Sequence, residues 1–376
     1  MSVNSELHVA VMPGDGIGVE IMPPCVELLQ RLARDLGGFS FRFENLEAGA
    51  AHYQRSGTAL PEEALASAQA ADAILFGAMG LPDIRYPDGR EIAPQLDMRE
   101  KFELFAGVRP VRTFPGLPIP LADPRGQNLD FVLIRESTEG LFSARGKTRL
   151  EDDRAAHDTM TITRGASERL FDFAFDLARR RKARGAPGRV TCVDKANVLG
   201  SFVFFREIFA ERAARNPDIE ADCAYVDATA LNMIRRPWAF DVLVTENMFG
   251  DILSDAGAAL MGGMGIAPSA DIGLRHALFQ PCHGSAPDIA GSGKANPTAM
   301  FLSAAMMLDW LGERHGLESC REAGALLERA VEAAFASGNL RPHEMGGASG
   351  LKEITAAVTE VLEARATTPA TARRAT

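Results

Sequence analysis

Two acidic residues, Asp251 and Asp255, stand four apart in Thr245-Glu-Asn-Met-Phe-Gly-Asp-Ile-Leu-Ser-Asp255. They follow the apolar run Phe240-Asp-Val-Leu-Val244, which reads as a buried strand, and fall where the next helix begins. Residues i and i+4 share a helical face, so both carboxylates point the same way. Close carboxylates repel unless a cation sits between them. A hard divalent ion, Mg²⁺ or Mn²⁺, suits oxygen ligands and leaves positions open for a substrate. The same pair would also serve as a solvated, acidic helix start that favours the macrodipole.

Three arginines suggest what such a metal would meet. Arg99 lies in Met98-Arg-Glu-Lys-Phe-Glu-Leu-Phe105, Arg109 in Gly107-Val-Arg-Pro110, and Arg135 at the end of the strand Phe131-Val-Leu-Ile134. An Arg at the carboxyl end of a strand points into the crevice where open α/β sheets bind ligands. Guanidinium groups clamp carboxylates bidentately. Each alone could be a surface ion pair; together they suggest a substrate with at least two carboxylates. Lys195, in Val193-Asp-Lys-Ala-Asn-Val-Leu199, follows a buried strand and reads as a snorkelling stem or a proton-transfer group. Asp227 holds the equivalent place in Tyr225-Val-Asp-Ala228 and could supply a third carboxylate.

Two glycine-rich stretches could take a cofactor. Pro13-Gly-Asp-Gly-Ile-Gly18 follows the first strand, but its spacing is not G-x-G-x-x-G, and a tight turn explains it as well. His283-Gly-Ser-Ala-Pro-Asp-Ile-Ala-Gly291 is a long loop of small residues, followed by Asn296-Pro-Thr298 at a helix start. Asp288 is suited to accept hydrogen bonds from both hydroxyls of an adenosine ribose and would repel a 2′-phosphate.

Short apolar strands alternate with helical periodicity along most of the chain, which indicates an α/β protein with parallel strands. Strands are expected at His8–Met12, Ala73–Phe76, Asp130–Ile134 and Val190–Val193, and helices from near Val19, over Met98–Phe105, and from Gly165 to Arg184. Two further amphipathic helices are expected, Pro297 to Gly312 and Leu317 to Ser337. Ser137–Thr163 is polar and irregular, with alternation in Thr159–Thr163, and reads as a β arm. Ala364–Thr376 lacks periodicity and is expected to be disordered. At 376 residues the chain is long enough for two domains. A net charge of -10 leaves no general basic footprint for nucleic acid. No apolar run could span a membrane, and no secretory signal is visible. Five scattered cysteines without a C-x-x-C pair suit a reducing cytoplasm and argue against structural zinc.

These segments together resemble the β-decarboxylating dehydrogenases, the isocitrate/isopropylmalate dehydrogenase family, over roughly Val9 to Val361. The resemblance rests on Gly14-Asp-Gly-Ile-Gly18, Val108-Arg-Pro110, Arg135-Glu136, Asp194-Lys-Ala-Asn197, Glu246-Asn247 with Phe249–Asp255, and His283-Gly-Ser-Ala-Pro287. It implies NAD-dependent and Mg²⁺- or Mn²⁺-dependent oxidative decarboxylation of a 2-hydroxy diacid, 3-isopropylmalate first. Arg99, Arg109 and Arg135 would grip the substrate. Asp251 and Asp255 of one subunit, with Asp227 of the other, would hold the metal. Lys195 would reach in from the partner as proton relay, so a homodimer with shared sites is implied. His283, Gly284, Ser285, Ala286, Asp288, Ile289 and Asn296 would bind the cofactor, with Asp288-Ile289 matching NAD users rather than NADP users. The fold implied is two-domain α/β with a parallel or mixed sheet. Residues 1–104 plus 263–363 would form a large cofactor domain, 105–262 a dimerising and substrate domain, and 137–163 its arm.

The chain departs from that family in three places. Phe142 stands where a tyrosine is usual, so either water or Lys195 would protonate the enol, or decarboxylation would be slower than in relatives. Gln280 replaces a usual glutamate. In Ile92-Ala-Pro-Gln-Leu96, Leu96 and Ile92 favour an apolar third substituent on the substrate, whereas Gln95 favours a polar one. Tartrate or D-malate is therefore the alternative to 3-isopropylmalate, followed by isocitrate or homoisocitrate. A non-catalytic binding protein on the same fold is the alternative outside the enzyme class.

Overall fold

A computed structural model describes residues 5–366. In chain order the strands are β1 (Ser5–Gly14), β2 (Phe39–Asn45), β3 (Ala73–Ala78), β4 (Ala106–Arg112), β5 (Asp130–Glu136), β6 (Arg149–Glu151), β7 (Ala155–His157), β8 (Arg189–Asp194), β9 (Glu220–Tyr225), β10 (Val242–Thr245), β11 (Pro268–Ile272) and β12 (Ala277–Pro281). The helices are α1 (Gly18–Leu36), α2 (Ala50–Ser56), α3 (Glu62–Ala70), α4 (Pro94–Lys101), α5 (Arg164–Ala183), α6 (Gly200–Ala214), α7 (Val226–Arg235), α8 (Asn247–Met261), α9 (Thr298–His315), α10 (Glu318–Ala336) and α11 (Leu351–Ala366).

Ten strands form one mixed sheet in the order β2-β1-β3-β12-β11-β4-β5-β10-β8-β9. Both wings are parallel. The antiparallel pairs β12/β11, β11/β4 and β4/β5 join them at the centre. The central strands are apolar on both faces, as strands covered on both sides must be: Ala73–Ala78 and Val242–Thr245 are buried at every position. The outer wing strand β9 is mostly exposed along its length. Helices α1, α9 and α10 pack over one part of the sheet and α5 and α6 over another. Phe171 and Phe175 of α5 meet Phe205 and Phe209 of α6 there, with ring centroids 4.6 to 5.6 Å apart.

Three local expectations need correction. The helix expected over Met98–Phe105 is α4. It starts at Pro94, where proline's fixed φ suits a first turn, and stops at Lys101. Glu103, at φ 50°, then turns the chain into β4. The arm's strands are β6 and β7; of Thr159–Thr163 only Thr161 pairs, in a single bridge to Gly140. Ala364–Ala366 belong to α11, which tucks Ile354, Val358 and Leu362 against the core. The rest of the expected tail lies outside the described residues.

Candidate active site

The acidic pair sits on α8 as the spacing predicts. Glu246 caps this helix, its carboxylate accepting from the Met248 and Phe249 amides at 3.0 and 3.3 Å. That leaves Asp251 and Asp255 one turn apart near its start. Burial, and then the Asp251 charge, push the Asp255 carboxyl above its ordinary range, against the pull of Arg135 and Arg109. A cation at this pair would relieve that repulsion, so the donor set fits a hard divalent ion.

The three arginines converge on the same place. All are buried, with 4 to 6% exposure. The Arg135 Nε donates to Asn247 Oδ1 at 2.9 Å, and its Nη1 meets Asp251. Its guanidinium lies 5.1 Å over the Phe142 ring. Burial, with Arg99 and Arg109 nearby, lowers its pKa to about 10. It therefore remains a cation at neutral pH, and an anionic ligand would stabilise it. Arg99 and Arg109 come from α4 and β4, which are joined by the turn through Glu103. A cleft of about 330 Å³ is lined by all three arginines with Gln95, Leu96, Phe142, Asp251, Asp255, Gln280, His283 and Gly284. A second cavity, about 650 Å³ and shared at Leu96, Arg99, Arg135 and Phe142, extends it towards Arg90, Arg145 and Lys147.

Around the cleft some residues take parts their types did not announce. Ile92 lines the cleft and is packed in a satellite cluster with Tyr53, Tyr86 and Leu81. Gln95 Oε1 is shielded from water with no donor. The glycine turn before α1 is tight for packing reasons: a Cβ on Gly16 would lie 2.1 Å from the Ser285 carbonyl. Its Asp15 carboxylate is spent on the Ala50, Ala51 and Gly80 amides, all at 2.8 Å. The turn thus braces the loop at residues 283–291.

That loop, residues 283–291, runs along the edge of the cleft. His283 Nδ1 lies 2.9 Å from the Gly284 carbonyl, which can only accept, so Nδ1 carries the proton. Burial pushes the imidazole pKa down, so the ring is neutral. Nε2 is left a shielded acceptor without a donor, which fits a ligand N–H or O–H. Ser285 is structural, its hydroxyl on the Gly80 carbonyl and its own carbonyl taking the Ile17 amide at 2.8 Å. Ala286 adopts φ 38°, Ile289 packs on the core, and Asp288 is exposed. Asn296 is committed at both ends, accepting from the Thr298 amide at 3.1 Å and donating to Glu344 at 2.9 Å. These two bonds hold it just ahead of α9.

Lys195 and Asp227 are not brought to the cleft within one chain. They pair with each other at 3.0 Å, and Lys195 holds the Asp227 carboxyl below its ordinary range. Among the described residues one set of three metal-type ligands does cluster: Cys192, Asp194 and Cys223. Its acid is already bound on both oxygens by Arg206 at 2.7 Å, with the Ala196 amide at 2.8 Å, which leaves little for a metal. The sequence reading missed Asp271, fully buried between Arg99 and Arg109. Its one signal is a lone acid in the apolar run Pro268-Ser-Ala-Asp-Ile272.

Buried guanidiniums facing an acid pair in a cleft on a mixed α/β sheet suit a small anionic ligand. Comparison with known proteins narrows this. The model of the isocitrate/isopropylmalate dehydrogenase family matches residues 8–369, and the chain belongs to that family. It is 43% identical over 342 residues to a 3-isopropylmalate/3-methylmalate dehydrogenase of Methanocaldococcus jannaschii, covering 90% of this chain and 94% of that one. It is 42% identical over 354 residues to a homoisocitrate dehydrogenase of the same organism, covering 93% and 95%. The crystal structure of isocitrate dehydrogenase from Methylococcus capsulatus superposes with a TM-score of 0.83 at 35% identity, over 95% of this chain and 99% of that one. The chain is an oxidoreductase, a β-decarboxylating dehydrogenase.

Proposed function

We propose that this enzyme carries out the NAD-dependent oxidative decarboxylation of 3-isopropylmalate with Mg²⁺ or Mn²⁺. The observation that carries the reading is the convergence of Arg99, Arg109 and Arg135 with Asp251 and Asp255 in one cleft. The arginines bind and orient the two carboxylates of the diacid. Asp251 and Asp255 would hold the metal, together with Asp227 of a second subunit. Bound there, a divalent ion supplies Lewis-acid stabilisation of charge developing on the 2-oxygen and its neighbouring carboxylate. Leu96 gives the third substituent an apolar neighbour. Phe142 shields Arg135 from water but has no proton to give, so the partner subunit's Lys195, or water, returns the proton to the enol carbon. His283 Nε2 accepts from the cofactor, and Asp288 takes the adenosine ribose hydroxyls, which favours NAD over NADP.

The shared site requires a homodimer, and the exposed apolar side chains agree. Val198 and Leu199 follow Lys195, Leu231 and Ile234 share α7 with Asp227, and Ile252 adjoins Asp251; all five are more than 40% exposed. Exposed apolar groups gathered beside functional residues mark an interaction surface. In this reading residues 1–104 plus 263–363 form the cofactor domain and residues 105–262 the dimerising domain, with the arm at 137–163. No helix among the described residues is long and apolar enough to cross a membrane. A cytoplasmic site of action goes with the five free cysteines.

Gln95 favours a second reading. Its shielded Oε1 would accept from a hydroxyl on the third substituent, as in tartrate. The test of the main reading is stoichiometric: Mn²⁺-loaded enzyme should release CO₂ and NADH in equal amounts from 3-isopropylmalate, and chelation should stop both. NADH without CO₂, or turnover indifferent to chelation, would refute it.

A further inference from the structure

The arginine clamp rests on a buried acid. Asp271 lies near the end of β11 with no exposure. Its Oδ2 is 3.0 Å from Arg99 Nη2, and its Oδ1 is 3.3 Å from Arg109 Nη2. The same Oδ2 accepts from Gln280 Nε2 at 2.9 Å. In the β11/β12 register Asp271 faces Leu278 and Ser269 faces Gln280, so Asp271 and Gln280 are diagonal neighbours on one face. Gln280 is itself fixed, its carbonyl accepting from the Ser269 and Ser303 hydroxyls at 2.8 Å each. Arg109 Nη1 donates to the Val108 and Ala270 carbonyls at 3.1 Å, which leaves that guanidinium little freedom.

Burial alone would drive Asp271 to hold its proton, but Arg99, Arg109 and Arg135 outweigh it and keep the carboxyl below its ordinary range. The carboxylate therefore stays charged in the core, which is costly unless its partners are held tightly. It uses only one edge of each guanidinium. Arg99 Nε has no partner, so donors remain for a ligand.

We propose that Asp271 and Gln280 act as one positioning unit that fixes Arg99 and Arg109 in the geometry a diacid needs. The proposal rests on the reading of these arginines as a diacid clamp, and deepens it. Two roles for Asp271 predict opposite signs. A positioning acid raises KM when it is lost, because the clamp loosens. A mere countercharge lowers KM when it is lost, because the cleft becomes more cationic.

The test uses the full chain with 3-isopropylmalate, measuring KM and kcat with Mn²⁺ and NAD, and diacid binding by calorimetry without metal. Asp271→Asn should raise KM, and weaken metal-free binding, by about 10- to 100-fold, the scale of one lost charge-assisted contact, with a smaller fall in kcat. Gln280→Glu should lower the melting temperature, because two carboxylates at hydrogen-bond distance cannot both ionise. The double variant Asp271→Asn/Gln280→Glu keeps one acid and one amide in the pair and should recover most of the KM. Gln280→Leu keeps the charge, loses the brace, and should raise KM by roughly 3- to 10-fold. An unchanged or lower KM for Asp271→Asn, or a double variant no better than the single ones, overturns the proposal. Should Asp271→Asn fail to fold, an unchanged KM for Gln280→Leu overturns it alone. A wild-type enzyme that neither binds nor turns over a malate-type diacid would instead overturn the functional reading, and the proposal with it.

Discussion

Gly250 gives the sharpest test of how α8 and β5 build the clamp. A Cβ at this position would lie 2.6 Å from Arg135 Cβ, 2.7 Å from its Cγ and 3.0 Å from its Cα. Carbon atoms pack at about 3.5 to 4.0 Å, so helix and strand must part by roughly 1 Å to admit a methyl. Gly250→Ala has two opposed effects on stability. Alanine in a helix gains about 0.8 to 1 kcal/mol over glycine. Overpacking a tight contact costs about 1 to 3 kcal/mol. The contact is against a strand's own Cα and Cβ, which cannot swing aside as a flexible tip would, so the steric cost should win by about 1 kcal/mol. The larger effect should be on activity. A shift of that size displaces the Arg135 guanidinium from Asn247 and from the cleft, and a misplacement of about 1 Å can cost on the order of 100-fold. The assay is kcat/KM for 3-isopropylmalate beside a thermal melt. Gly257→Ala is the control. It crowds Val111 Cγ2 at 2.7 Å on the same helix, away from the arginines. It should lower stability comparably and cost far less activity. A Gly250→Ala enzyme with near wild-type kcat/KM, or losses equal to those of the control, would refute the seating of Arg135 by α8.

Other outcomes follow from the same geometry. Asp251→Asn should remove Mn²⁺ binding, read by electron paramagnetic resonance, and lower kcat by about 1,000-fold or more while the fold melts normally. Phe142→Tyr restores a phenol beside Arg135 and should raise kcat by about 10-fold if enol protonation limits turnover, general acids contributing on that scale or more; no change would place the slow step elsewhere. Ile234→Glu puts a charge in the exposed apolar surface beside Asp227 and should yield monomers in sedimentation velocity, with activity lost because the shared site is not completed. Asp288→Arg should turn an NAD preference towards NADP, and an unchanged cofactor ratio would remove Asp288 from the ribose site.

The parts of the site that were legible in the sequence are those set by local chain geometry. The i, i+4 spacing of Asp251 and Asp255 survives any detail of packing once α8 forms. Arg135 lies at the carboxyl end of its strand, which closes one residue later at Glu136. The parts that were not legible depend on pairing between distant segments. Asp271 meets Arg99 and Arg109 only because β11 pairs with β4 on one side and β12 on the other, a register that no local pattern encodes. Ile92 lines the cleft as its place before Gln95 and Leu96 suggests, but its packing against Tyr53 and Tyr86 joins segments that no local pattern connects. Asn296 donates from its side-chain amide to Glu344, far along the chain, a contact that no local pattern shows. Lys195 and Asp227 are a different case. Their apposition within one chain is visible, whereas the shared site proposed for them would need a second subunit.

The most direct test of the central claim is NADH formation with Mn²⁺ across 3-isopropylmalate, homoisocitrate, isocitrate, D-malate and tartrate, compared as kcat/KM. 3-Isopropylmalate should lead, because Leu96 offers an apolar neighbour to its third substituent and the three arginines match two carboxylates. A lead for tartrate would assign the pocket to Gln95, a lead for homoisocitrate to the cations around Arg90, and either would contradict the account.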